Sequence, residues 1–120
     1  MQKNTVVIGA SENVERYSNM AVKKLVANKH AVTAIGNKEG IINGIKIIKE
    51  NPVLDDVHTV TLYLNPQNQK PYYDYILSLN PKRIIFNPGT ENEELEKLAI
   101  KKGIHTMDAC TLVLLSTNQY

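Results

Sequence analysis

The run Thr5-Val6-Val7-Ile8 stops at Gly9, and Ala10-Ser11-Glu12-Asn13-Val14-Glu15-Arg16-Tyr17-Ser18-Asn19 follows before a helical pattern sets in. A loop that leaves a strand and opens a helix brings backbone amides and the positive end of a helix dipole to one place, which suits an anion. Gly9 permits the tight turn, Ser11 and Ser18 offer hydroxyls, and Arg16 offers a forked cation for phosphate. The segment is not G-x-G-x-x-G, because only the first glycine of that fingerprint is present and the loop is longer. The competing reading is a surface loop with a serine N-cap and a solvated arginine.

A second strand, Ala31 to Ile35, ends in Gly36-Asn37-Lys38. A site for NAD places Asp or Glu near this point to accept from the ribose hydroxyls. Asn37 is neutral and Lys38 is positive, a pair that favours a ribose carrying a phosphate; the plainer alternative is an exposed lysine in a turn. Other chemistry-bearing residues do not assemble into a site. His30 falls at a helix end, His58 at a strand start and His105 within a strand, with no metal-ligand spacing among them. His58 and His105 are expected at the amino end of the sheet, so no base stands beside a nucleophile. Glu91, Glu93, Glu94 and Glu96 read as a charged helix start. Tyr72 and Tyr75 are expected in the core, with Tyr73 partly exposed.

The elements that position these residues alternate. After the first strand comes a helix over Asn19–Asn28, capped by Ser18, with Ala21, Val22, Leu25 and Val26 on one face. Lys38–Asp56 reads as a turn, a short strand near Ile45–Ile48 and a loop, with a helical piece as the alternative. Val57–Leu64 is the third main strand, and a helix from about Gln69 to Leu79 follows, with Pro71 in its first turn. Arg83–Phe86 is the fourth strand. Thr90-Glu91-Asn92-Glu93 has the form of a capping box, opening a helix that carries Leu95, Leu98 and Ala99 inward and ends at Gly103. Ile104–Met107 is the fifth strand, Thr111–Leu115 a last short strand or turn, and Ser116–Tyr120 a tail. This order predicts a parallel sheet with right-handed crossovers. Ligands in such sheets bind beyond the carboxyl ends of the strands.

The sequence of 120 residues gives one expected domain, 1–120, with 42% hydrophobic and 22% charged residues, too apolar for a disordered chain. The net charge of +2 is too small to point to nucleic acid. No apolar run has the length of a membrane span and no signal-peptide pattern is present, so a cytoplasmic location is expected. One cysteine excludes an intrachain disulfide framework.

Val6-Val7-Ile8-Gly9-Ala10-Ser11 with Arg16-Tyr17-Ser18 resembles the CoA-binding domain family, small proteins similar to the N-terminal domain of the succinyl-CoA synthetase alpha subunit. Asn37, Asn43-Gly44-Ile45-Lys46, Gly89 with Asn92-Glu93-Glu94, and Asp108 with Cys110 extend the resemblance over nearly the whole chain. The sequence departs from the family pattern at Lys29, where a helix-ending glycine is usual, and at Lys38, Asn87-Pro88 and Ala109. The resemblance implies a Rossmann-like three-layer α/β sandwich with a five-stranded parallel sheet in the order 3-2-1-4-5. It also implies coenzyme A as the ligand, held by Gly9, Ala10, Ser11, Arg16, Ser18 and Asn37 at the nucleotide end. Leu64, Pro66, Gly89 and Asn92 would follow the pantetheine path, and Lys38 adds a cation on electrostatic grounds.

In that strand order Cys110 would follow a strand two away from the first, about 10 Å at the usual interstrand spacing. That is close enough for the coenzyme's thiol, although a small buried cysteine is the plainer reading. The expected function is binding of coenzyme A or an acyl-CoA without catalysis, because the synthetase needs further domains. The alternatives are a small NADP-type or acyl-CoA enzyme, or an interaction subunit with a vestigial cleft. No nucleic acid or membrane partner is expected, whereas a homodimer or a partner protein is compatible with the sequence.

Overall fold

The computed structural model describes residues 2–120. In chain order the elements are β1 (Thr5–Ile8), α1 (Tyr17–Ala27), β2 (Val32–Ile35), β3 (Gly40–Ile42), β4 (Ile45–Ile48), β5 (Thr59–Leu62), α2 (Pro66–Gln69) and a single 3-10 turn (Lys70–Tyr72). There follow α3 (Tyr73–Leu79), β6 (Arg83–Phe86), α4 (Glu93–Lys101), β7 (His105–Asp108) and α5 (Thr111–Ser116).

The strands form one sheet in the order β3-β4-β2-β1-β5-β6-β7, parallel except for the β3–β4 pair. The expected five strands in the order 3-2-1-4-5 are therefore corrected. There are seven strands, and the third long one, β5, pairs with β1 on the side opposite β2. Hydrophobic periodicity identifies a strand but not its neighbour, so it could not decide which edge of β1 the chain rejoins. The two strands beyond five, β3 and β4, form a hairpin with a visible cause. Asn43 (φ 46°) and Gly44 (φ 84°) form the left-handed pair of a tight hairpin turn, and they join β3 to β4.

Alternation along the strands divides the core between two faces. Val6, Ile8, Val60, Leu62, Ile84 and Phe86 face α3 and α4 through Ile76, Leu79, Leu95 and Ala99. Val7, Ala34, Ile47 and Ile85 face α1 and α5 through Val22, Leu25 and Leu115. The result is the expected three-layer, Rossmann-like arrangement of helices on both sides of the sheet.

Several local expectations are revised. Arg16, not Ser18, is the N-cap of α1, and its side chain makes no capping bond; Ser18 lies buried in the first turn. Asn92, not Thr90, caps α4, accepting from the Leu95 N–H, while the Thr90 hydroxyl donates to the Asn87 carbonyl at 2.8 Å. Both residues offer an oxygen just ahead of the helix, and the two-residue difference is settled by Thr90 turning back into the Asn87 turn. Leu98 is on the exposed side of α4. Residues 111–116 form a helix, and Tyr120 of the expected tail is buried, its hydroxyl 2.6 Å from that of Thr5. Lys29 takes the left-handed conformation, φ 67°, that its place at the helix end implied.

Candidate functional site

The chain runs from β1 outward to β2 and β4, then returns to β5 on the other side of β1. That reversal opens a crevice beyond the carboxyl ends of β1 and β5. A cavity of about 540 Å³ lies there, within the roughly 300–1,000 Å³ of small-molecule clefts. One wall is the first loop: Gly9, Ala10, Ser11, Arg16, Tyr17 and Ser18. The end of β2 adds Gly36 and Asn37, and the opposite wall is Tyr63, Leu64, Asn68, Tyr72, Pro88 and Thr90.

Close backbone approach explains two glycines. Gly9 has φ +99°, and a Cβ on it would lie 3.1 Å from the Tyr63 carbonyl carbon and from the Leu64 side chain. A Cβ on Gly36 would stand 2.4 Å from the Ala10 carbonyl oxygen, so β2 ends pressed against the first loop. Side chains then hold that loop. Asn19, buried in α1, donates to the Ser11 carbonyl at 3.0 Å. Glu12 accepts from the Ile41 N–H at 2.8 Å, tying the loop to β3.

Asn65 caps α2 and Asn92 caps α4 through side-chain oxygens, whereas α1, like α3 and α5, has no side-chain cap. Its N-terminal residues Arg16, Tyr17 and Ser18 line the cavity. An uncapped helix end, a guanidinium and hydroxyls on one wall are groups whose chemistry suits an anion.

The far wall is held by a buried polar network. Asn87, at the end of β6, donates to the Thr61 hydroxyl (2.7 Å) and the Leu62 carbonyl (2.8 Å), and accepts from the Thr111 N–H (2.9 Å). Burial pushes the Tyr63 hydroxyl above its ordinary range. Thr111 and Thr61 pull the other way, but no hydrogen bond of good geometry reaches it.

Seven of the residues selected from the sequence therefore line one cavity: Gly9, Ala10, Ser11, Arg16, Ser18, Asn37 and Leu64. The other five stand apart from its lining. Lys38 is exposed beside Asn37, and Pro66 is exposed at the start of α2. Gly89 (φ +91°) forms the turn after β6 and donates to Glu91 Oε1, and Asn92 caps α4. Cys110 is half-buried at the start of α5. With the corrected order, β7 lies three strands from β1, about 14 Å rather than the 10 Å expected.

Tyr17 and Gly36 lie inside strand-end segments that the sequence marks out. Asn68 and Tyr72 carry no such mark, and Tyr72 combines its expected core contact with a place in the cavity wall. The histidines His30 and His58 stand at the opposite, amino-terminal end of the sheet, where His58 N–H bonds the Asn4 carbonyl ahead of β1.

A mostly parallel sheet with helices on both faces and a crevice where the strand order reverses defines a Rossmann-like α/β domain. More narrowly, a family model described as a CoA binding domain matches residues 3–116, and the chain belongs to that family. A search of curated proteins found no match. Among solved structures, an uncharacterized protein shares 48% identity with a TM-score of 0.97, over 100% of this chain and 99% of the other. A hypothetical protein from Pyrococcus horikoshii OT3 shares 23% identity with a TM-score of 0.87, over 97% of this chain and 83% of the other. An acetyl-coenzyme A synthetase 1 from Ca. Korarchaeum cryptofilum, solved with phosphate and ADP, shares 18% identity with a TM-score of 0.72. That match covers 90% of this chain and 26% of the synthetase, and it shows a common fold. No helix among the described residues is long and apolar enough to cross a membrane.

Proposed function

We propose that this chain binds coenzyme A or an acyl-CoA in the crevice between β1 and β5 and carries out no chemistry on it, acting as a carrier or as a sensor of acyl-CoA level. The uncapped start of α1, with Arg16, Tyr17 and Ser18 on the cavity wall, carries the reading. The nucleotide phosphates meet Ser11, Arg16, Ser18 and the α1 amides, over Gly9 and Ala10. Asn37 lies at the ribose end with Lys38 at its rim; both replace the carboxylate that an NAD site requires. The arm runs along Leu64 toward Pro88 and Thr90, past Pro66, Gly89 and Asn92, and Cys110 marks the furthest point of that path.

Calorimetry with CoA and NAD tests the assignment. Tighter binding of CoA is expected, and equal or tighter binding of NAD overturns it. The pure protein is expected to turn over no short acyl-CoA, since no histidine lines the cleft. Saturable thioester hydrolysis, abolished by a cleft substitution, would show an enzyme instead. Incubation with CoA disulfide tests the place of Cys110: thiolate attack would form one mixed disulfide and release one CoA thiol. A reducible adduct of that mass, absent in Cys110→Ser, places the thiol on the path; an unmodified native protein removes it.

A further inference from the structure

Gln69 is fully buried at the end of α2, between the two loops that make the far wall of the cavity. Its amide nitrogen donates to the Leu64 carbonyl and to the Thr90 carbonyl, each at 2.8 Å. Its oxygen accepts from Asn92 Nδ2 at 2.9 Å, and the same Asn92 nitrogen lies 2.8 Å from the Tyr73 hydroxyl. Leu64 and Thr90 line the cavity, yet no backbone hydrogen bond joins the segment 63–69 to the segment 87–92. A side chain supplies the join that backbone pairing does not. The first loop is fixed independently, by Asn19, by Glu12 and by the approach of Gly36.

We infer that Gln69 is the positioning residue that sets the width of the far half of the cleft, so that the site reads its ligand in two separable parts. The first loop recognises the phosphorylated nucleotide whatever the state of Gln69. The wall clamped by Gln69 recognises the arm beyond it and gives the whole coenzyme its advantage over the bare nucleotide. Physically, the clamp spares the ligand the cost of ordering two loops when it binds. This inference rests on the coenzyme reading of the site.

The test compares wild type, Gln69→Met and Gln69→Glu with two ligands, CoA and adenosine 3′,5′-bisphosphate, by calorimetry. Methionine keeps the length of the side chain and removes all three bonds. Glutamate keeps an acceptor for Asn92 but as a carboxylate donates to neither the Leu64 nor the Thr90 carbonyl, so it reports should Gln69→Met fail to fold. Loss of the clamp is expected to weaken CoA about ten-fold, the scale of one or two lost hydrogen bonds, and to change the bisphosphate less than about two-fold. Equal weakening of both ligands, or of neither, overturns the inference. Amide hydrogen exchange without ligand gives an independent arm. Segments 63–69 and 87–92 are expected to lose protection together in Gln69→Met, while 9–18 keeps its own; unchanged exchange refutes the clamp. Wild type that binds neither ligand refutes the coenzyme reading, and the exchange arm still decides whether Gln69 joins the walls.

Discussion

Arg16 is exposed and nothing in the fold uses its side chain, so its removal should cost binding and little stability. Arg16→Ala is expected to weaken CoA about 5- to 30-fold, the worth of one charge-assisted phosphate contact, with an unchanged urea midpoint. Gly36 is the opposite case, because a methyl group there meets the Ala10 carbonyl oxygen first and the buried Ile47 side chain next. Gly36→Ala should displace the first loop, lower stability by about 1–3 kcal/mol and impair binding, as urea titration and calorimetry would show. The first-loop residues were legible in the sequence because they form one contiguous stretch whose glycine, serines and arginine act through local geometry. Gln69 and Asn87 were not, since each acts on partners more than twenty positions away. Nothing in the composition of a loop states which distant carbonyl its amide will meet.

Elements meet at Asn87, where β6, β5 and α5 are held by one side chain. Asn87→Leu keeps the branched shape with added bulk and strands the Leu62 carbonyl and the Thr111 N–H in a buried place. It is expected to destabilise the protein by about 2–4 kcal/mol, read as a lower urea midpoint. Strands and helices were mostly recoverable from periodicity and from Gly and Pro punctuation. The last helix was not, because Thr111-Leu112-Val113-Leu114-Leu115 is a short apolar run that suits a strand equally well. Sheet order was not recoverable either, because β5 would look the same on either side of β1. The consequence was concrete: Cys110 moved one strand further from the first loop.

Across the whole molecule, the histidines and the lysine whose pKa is lowered gather at one end of the sheet. At the amino-terminal end, Lys3, His30, His58, Lys82 and Arg83 act on one another. Burial lowers the His30 pKa, and Lys3 and Arg83 lower it further. Burial also lowers that of His58, with Arg83, Lys3 and Lys82 adding to the effect. Both imidazoles hold fewer protons folded than unfolded. Their contribution to stability is therefore complete above the unfolded value of 6.5 and is lost as pH falls from there through their folded values. The urea midpoint is expected to fall between about pH 7 and pH 5, and less steeply in His58→Gln. Tyr120 sits at this end, its ring 4.4 Å from the Arg83 guanidinium and 4.9 Å from the His30 ring, with Lys3 Nζ donating to its main-chain oxygen. The chain has no tryptophan, so tyrosines govern its near-ultraviolet spectrum. Tyr63, Tyr73, Tyr75 and Tyr120 are held by the fold and are expected to give circular dichroism without ligand, whereas Tyr17 is 70% exposed at the cleft and is expected to add signal when CoA is supplied. One spectrum therefore reads both ends of the sheet: acid is expected to remove the share that Tyr120 contributes, and CoA to add one through Tyr17.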